Sequence, residues 1–265
     1  MAEAAGLYYE LHGPEGAPPL ILSSGLGGSA GYWTPNLPAL AARHRVLVYD
    51  HRGTGRSDRA LPADVSVDDL ARDMLALMDA AGWDRAHVVG HAAGGVAGLA
   101  LAMAAPERLD RLVVVNGWAR ADPHFLRCFE ARLNLLRHAG VDAFLRAQPI
   151  FLYPAGWISA HTAELDAELP HQRETFPGVA TTEARIAALA AFDATDRLGG
   201  LTDRTLVLVA DDDMLVPSGA GEILAAELGG APVARLATGG HACNVTRPDA
   251  FDRLVLAWLA GRHPE

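Results

Sequence analysis

The six residues Gly90-His91-Ala92-Ala93-Gly94-Gly95 stand between an apolar, strand-length run, Ala86–Val89, and an Ala- and Gly-rich stretch, Gly95–Ala104, of helical composition. A Gly-x-Ser-x-Gly segment in that setting is the sharp strand-to-helix turn that exposes a nucleophilic serine. Its glycines are needed because a strained turn leaves no room for side chains around the exposed residue. Here the glycines are in place, and the serine position is occupied by Ala92. The turn is expected; its nucleophile is not there.

Outward from this turn, short apolar runs alternate with helical patterns. Gly6–His12, Pro19–Ser23, Arg45–Tyr49, Leu112–Val115, Thr205–Val209 and Val233–Leu236 read as strands. Val67–Ala81 places Leu70, Met74, Leu77 and Met78 on one helical face, and Phe251–Leu259 closes the chain as a helix. Such alternation predicts an α/β fold with a mostly parallel, doubly wound sheet flanked by helices. The rhythm changes between residues 119 and 198, where Phe125, Phe129, Leu133 and Leu136, then Phe144 and Leu145, follow helical spacing. Pro149, Pro154, Pro170 and Pro177 are expected to break this region into pieces. It reads as a helical cap inserted between core segments 1–118 and 199–265.

Ligands of open α/β sheets bind beyond the carboxyl ends of strands, so the residues after each strand carry the chemistry. After Thr205–Val209 comes Asp211-Asp212-Asp213, and after Val233–Leu236 comes Gly239-Gly240-His241. Turn, then acid, then histidine is the chain order of a Ser-His-acid triad on this kind of sheet. Ser24-Gly25-Leu26-Gly27 follows Pro19–Ser23, where a first oxyanion donor belongs. His91 and Arg52 read as structural. Ser23, Ser24 and Ser29 are expected to serve backbone hydrogen bonds. Cys243, two residues past His241, is the one thiol placed to substitute as nucleophile, although free cysteines are more often inert and buried.

Composition narrows the classes. The chain has 265 residues, half of them hydrophobic, and a net charge of −10. An acidic chain without a basic run lacks the footprint of a nucleic-acid binder or of an anionic-membrane binder. No apolar stretch reaches the ~18–20 residues needed to span a bilayer, and no signal peptide is evident. Two cysteines without a CxxC suit free thiols in the cytoplasm. The scattered histidines have no ligand spacing, so no metal or other cofactor is expected. The oligomeric state stays open.

Three segments, Asp50–Ser57 (DHRGTGRS), Gly90–Gly95 and Asp213–Pro217, resemble the α/β-hydrolase superfamily. More narrowly, Gly25–Ser29 with Tyr32-Trp33, Asn116-Gly117-Trp118, Gln148 with Phe151–Pro154, and Gly239–Thr246 (GGHACNVT) resemble the RutD family. The resemblance implies an α/β-hydrolase fold with a cap and a hydrolase of the Rut pyrimidine-degradation pathway. Its substrate would be carbamate or 3-aminoacrylate, a small carboxylate-bearing molecule cleaved at a C–N bond other than a peptide bond. It also implies Asp213 as the acid, His241 as the base, and the N–H groups of Leu26 and Ala93 as the oxyanion hole. Asp211 remains an alternative acid. A member of that family carries Ala at the same turn position, so Ala92 is compatible with a native chain.

Ala cannot form an acyl-enzyme. What survives is an acid/base pair, an oxyanion hole and a pocket. In serine proteases such remnants give roughly 10³–10⁴ over water, or about 4–5.5 kcal/mol. That is too little for a stable ester and enough for a substrate that already decomposes unaided. A cap arginine, Arg127 or Arg132, is expected to help hold its carboxylate. The competing expectations are a serine esterase inactivated at position 92, a non-catalytic binder on the same scaffold, and a cofactor-free oxygenase. The last would place Phe125, Phe129, Phe151, Tyr153 and Trp157 around a large pocket.

Overall fold

Eight strands form one sheet, in the order β1-β2-β4-β3-β5-β6-β7-β8, in a computed structural model that describes residues 2–263. The strands are β1 Ala2–Ala4, β2 Leu7–His12, β3 Pro19–Ser23, β4 Arg45–Tyr49, β5 Ala86–His91, β6 Leu109–Val115, β7 Thr205–Ala210 and β8 Val233–Leu236. The first two pair antiparallel, and everything from β4 onward is parallel. From β3 the chain goes to β4 on one side and then crosses to β5 on the other. The carboxyl ends of β3 and β5 therefore flank the point where strand order reverses, which opens a crevice there.

The strands are buried on both faces because helices cover both. Successive residues of a strand point to opposite faces. Leu20 and Leu22 thus join one apolar layer with Val46, Val48, Val113 and Val115, while Ile21 joins the other with Leu47, Val88 and Val114. The helices of the first core segment are α1 Leu37–Ala41, α2 Val67–Ala80 and α3 Ala93–Ala104. A capping box starts α2: Ser66 receives the Asp69 N–H, and the Asp69 carboxylate accepts from the Ser66 N–H at 2.8 Å. Helix α3 begins at Ala93, two residues earlier than its composition suggests, so Ala92 is its N-cap.

Between β6 and β7 stand five α-helices, α4 Pro123–Asn134, α5 Val141–Leu152, α6 Ala155–Ala160, α7 Thr162–Thr175 and α8 Val179–Ala191, with a π-helical turn at Leu135–Ala139 following α4. They have a small apolar cluster of their own, Leu136, Phe144, Leu145 and Leu169. The excursion leaves and returns at one place, since the Ala194 N–H donates to the Ala119 carbonyl at 2.8 Å and Arg120 bridges Asp193. Two of the four prolines do not break it. Pro149 lies inside α5 and Pro170 inside α7. An interior proline costs about 3 kcal/mol, and in α5 the packing of Phe144 and Leu145 outweighs it. Pro154 and Pro177 fall at helix boundaries as expected. After β7 come α9 Ser218–Glu227, the short α10 Cys243–Thr246 and α11 Pro248–Leu259.

Candidate active site

The turn after β5 has the strained backbone of a nucleophile elbow. Ala92 has φ 47° and ψ −106°, a conformation that costs a non-glycine residue about 1–3 kcal/mol. Its neighbours hold it there. A Cβ on Gly90 would lie 2.3 Å from the Gly94 backbone, and one on Gly94 would lie 2.1 Å from the Ser23 carbonyl oxygen. The Ala92 N–H donates to the Val115 carbonyl at 2.8 Å, and the Gly94 N–H to Ser24 at 3.0 Å. The fold thus maintains the geometry that would present a nucleophile, and presents a methyl group.

His241 and Asp213 meet. Nδ1 of His241 lies 2.8 Å from Oδ2 of Asp213, and both residues are buried. The second carboxylate oxygen, Oδ1, accepts the Leu215 and Val216 N–H groups at 2.7 and 2.9 Å, so the carboxylate is fixed from behind. A carboxylate oxygen facing Nδ1 favours the hydrogen on that nitrogen, which leaves Nε2 as the ring nitrogen with a free lone pair. The other two aspartates are engaged elsewhere. Asp211 pairs with Arg235 on the surface at 2.6 Å, and Asp212 accepts the Gly240 N–H at 2.7 Å.

The His241 loop is clamped by two residues of neighbouring strand ends. Asn116, itself at φ 47°, donates to the His241 carbonyl at 2.8 Å, while its own oxygen accepts the Ala210 N–H at 3.0 Å. Nε2 of His91 contacts the same carbonyl at 2.8 Å and therefore carries the hydrogen. Burial, then the neighbouring His241, holds His91 well below the usual histidine range, so it is a neutral clamp. The ring of Tyr32 stacks on it at 5.0 Å, and the Tyr32 hydroxyl donates to Asn244 at 2.7 Å.

The loop after β3 supplies the opposite wall. Among the described residues, neither the Leu26 N–H nor the Ala93 N–H has a hydrogen-bond partner. Arg185 of α8 fixes the Leu26 peptide by donating to its carbonyl from Nη2 at 3.1 Å. The same guanidinium reaches the Arg52 carbonyl and Nδ1 of His51. Burial pushes Arg185 down to about 10, so it remains a cation at neutral pH. This tie between α8 and the loop after β3 spans 159 residues.

A cavity of about 150 Å³ lies among these groups, lined by Leu26, Ala92, Ala93 and His241 from the core. Phe125, Phe129, Arg132 and Gln148 line it from the cap. It is smaller than the ~300–1,000 Å³ typical of drug-sized ligands. Of the two cap arginines, Arg132 is 3% exposed and lines the cavity, whereas Arg127 faces solvent. Arg132 donates from Nη2 to Oε1 of Gln148 at 2.6 Å. Among the described residues, its Nε is buried without a hydrogen-bond partner, and the one side-chain bond of its guanidinium goes to an amide, not to a carboxylate. Burial lowers Arg132 to about 10 as well. Tyr153 and Trp157 pack against each other at a tilt, ring centroids 4.5 Å apart, outside the cavity lining.

Ser24 does not make the hydrogen bond expected of it, since its Oγ is buried without a partner at the cavity, whereas the other polar candidates have structural partners. Arg52 pairs with Asp73 at 2.7 Å, Ser23 contacts the Tyr49 hydroxyl at 2.8 Å, and Ser29 caps the turn at Gly31. Cys243 is fully buried outside the cavity lining, and burial pushes its thiol far above the ordinary range, so it is no substitute nucleophile. No group of three or more metal-ligating side chains occurs among the described residues, and no helix there is long and apolar enough to cross a membrane.

Sequence reasoning assigned no role to Arg185, Asn116, Tyr32 or Gln148. The last three stood in segments that carried the family resemblance; Arg185 had no local signal.

Comparison with known proteins agrees with this fold. The α/β-hydrolase fold family matches residues 18–248. A RutD protein of Caulobacter segnis, named as a carbamate hydrolase, is 52% identical over 259 residues, 97% of each chain. One from Azorhizobium caulinodans with the same name is 47% identical over 96% of this chain and 95% of its own. The enol-lactonase of Burkholderia xenovorans superposes with a TM-score of 0.84, at 28% identity, over 98% of this chain and 99% of its own. The chain is a hydrolase and belongs to the RutD family of the α/β-hydrolase superfamily.

Proposed function

We propose that this chain, working in the cytoplasm, hydrolyses a small carboxylate-bearing substrate at a C–N bond other than a peptide bond, in uracil degradation. Carbamate and 3-aminoacrylate are the two candidates, the first from the names of its relatives. The observation that carries the proposal is the 2.8 Å Asp213–His241 contact beside an elbow whose only side chain is a methyl. The pair provides acid/base chemistry, and the methyl excludes a covalent intermediate at that position.

Aminoacrylate tautomerises to an imine. The imine nitrogen takes up a proton from solvent, and water adds to the imine carbon as Nε2 of His241 takes a proton from that water. The imidazolium, stabilised by Asp213, returns that proton to nitrogen. The C–N bond then breaks, its electron pair leaves with nitrogen as ammonia, the hydroxyl proton passes to Nε2 as malonic semialdehyde forms, and Nε2 hands that proton to the ammonia, which departs as ammonium and leaves the imidazole neutral. With carbamate the imidazolium protonates nitrogen, the same bond breaks, and carbon dioxide and ammonia separate. The N–H groups of Leu26 and Ala93, at the start of α3, hold negative charge in either case. Remnant machinery of this kind supplies roughly 10³–10⁴ over water.

The test is ammonia release from both substrates beside hydrolysis of an activated ester, for the parent and Ala92→Ser. The proposal expects ammonia release by the parent and little esterase activity. A parent without C–N activity, with strong esterase activity appearing in Ala92→Ser, marks an inactivated serine hydrolase instead.

A further inference from the structure

Arg132 is a buried cation with one hydrogen bond, and that bond goes to a neutral amide. The contrast with Arg185 is informative. Both are buried and neither meets a carboxylate, yet Arg185 spends its guanidinium on two backbone carbonyls and an imidazole. Arg132 is walled instead by the rings of Phe129, Phe144 and Phe151, at 5.3–5.6 Å from Cζ. Burying an unpaired charge is costly unless something compensates for it. Its Nε is buried without a partner, and the residue lines the cavity that holds His241. In a chain of net charge −10, a lone buried cation in the reaction cavity is a selective feature.

From this geometry we infer that Arg132, with Gln148 orienting it, is the receptor for a carboxylate that the substrate keeps throughout the reaction. The inference rests on the acid/base reading above and narrows its substrate. A guanidinium–carboxylate pair is planar and bidentate, so it fixes orientation as well as affinity. Arg132 comes from cap helix α4, and the base comes from a core loop. A substrate gripped by the cap presents its other end to His241, and the N–H groups of Leu26 and Ala93 are then left for charge that develops during reaction.

The class of substrate follows from what happens to the carboxylate. Carbamate loses its negative charge as it becomes carbon dioxide. A guanidinium holding that charge stabilises the ground state more than the transition state and slows the step. A short imino- or amino-acrylate carries its carboxylate unchanged from substrate to product, so the same grip binds both states equally and does no harm. The site therefore suits a three-carbon C–N substrate with a spectator carboxylate better than it suits carbamate.

Binding of two inert probes, propanoate and propanamide, separates the carboxylate from the rest of the molecule. It is measured by NMR titration on the parent, Arg132→Met and Gln148→Glu, with ammonia release from aminoacrylate followed in parallel. Propanoate should bind the parent and weaken roughly 10- to 100-fold in Arg132→Met, while propanamide is unchanged. Gln148→Glu places an internal carboxylate against the guanidinium and should compete propanoate out in the same way. In both variants KM for aminoacrylate should rise more than kcat falls. Equal propanoate affinity in parent and both variants overturns the assignment, even if ammonia release still depends on His241. Arg132-dependent propanoate binding without ammonia release by the parent leaves the carboxylate site standing and sinks the hydrolase reading instead. If Arg132→Met fails to fold, Gln148→Glu decides alone.

Discussion

Replacing Asp213 with asparagine should remove nearly all of the catalysis while leaving the site in shape. The side chain is held by two backbone donors, the N–H groups of Leu215 and Val216, both on Oδ1. In the Asn variant only the amide oxygen can accept those bonds, so the NH₂ group must turn toward Nδ1 of His241. It donates there, which forces the imidazole hydrogen onto Nε2 and removes the base from the cavity. The ion pair of the imidazolium state is lost as well. With charge centres about 4 Å apart and an effective dielectric of about 20, that interaction is worth about 4 kcal/mol, or roughly three decades of rate. The same substitution in a serine protease triad costs about 10⁴ for the same tautomeric reason. Because the whole enhancement expected here is only roughly 10³–10⁴, the variant should approach the uncatalysed rate. The assay is the initial rate of ammonia release from freshly generated aminoacrylate, at pH 5.5 to 8.5. An Asn variant within threefold of the parent across that range would refute the reasoning, since His241 would then not depend on its carboxylate.

Three further perturbations test the frame around the dyad. Gly94→Ala puts a Cβ 2.1 Å from the Ser23 carbonyl oxygen, where only backbone can yield, and should cost about 3 kcal/mol or more in urea unfolding. Arg185→Met frees the Leu26 peptide and should lower kcat for ammonia release roughly 10- to 100-fold, with KM changing less. Burial raises the Asp252 carboxyl to about 6, against the hydrogen bond from Asn36. A carboxyl raised on folding contributes stability below its unfolded value of about 4 and loses it as pH rises through about 6. Asp252→Asn should therefore stabilise the fold by about 1–3 kcal/mol at pH 8 and make little difference at pH 4, as read by urea melts at the two values.

The core of the fold was legible because its strands are uniform apolar runs and its chemistry sits immediately after them. Thr205–Val209 announces Asp213, and Val233–Leu236 announces His241, because a parallel sheet places every such end on one side. Shorter elements escaped. Strand β1 is three residues, two of them exposed, with no pattern to find, and α1 and α9 carry apolar spacing too brief to separate from turns. In the cap, Pro149 and Pro170 misled because local propensity was overridden by packing. Arg132 had a signal: it shares a helical face with Phe125, Phe129 and Leu136, three to seven residues away, whereas Arg127 falls on the opposite face. Arg185 had none, because its partner Leu26 is 159 residues distant and the bond is to a carbonyl, which every residue has.

In the proposed reaction His241 works as an acid/base without a nucleophile beside it. The most direct test of this is ammonia release from freshly generated aminoacrylate by the parent and by His241→Ala, in the same buffer and beside a protein-free control. Acceleration by the parent that falls to the control rate in His241→Ala is the predicted result. Equal acceleration by both proteins would contradict the account.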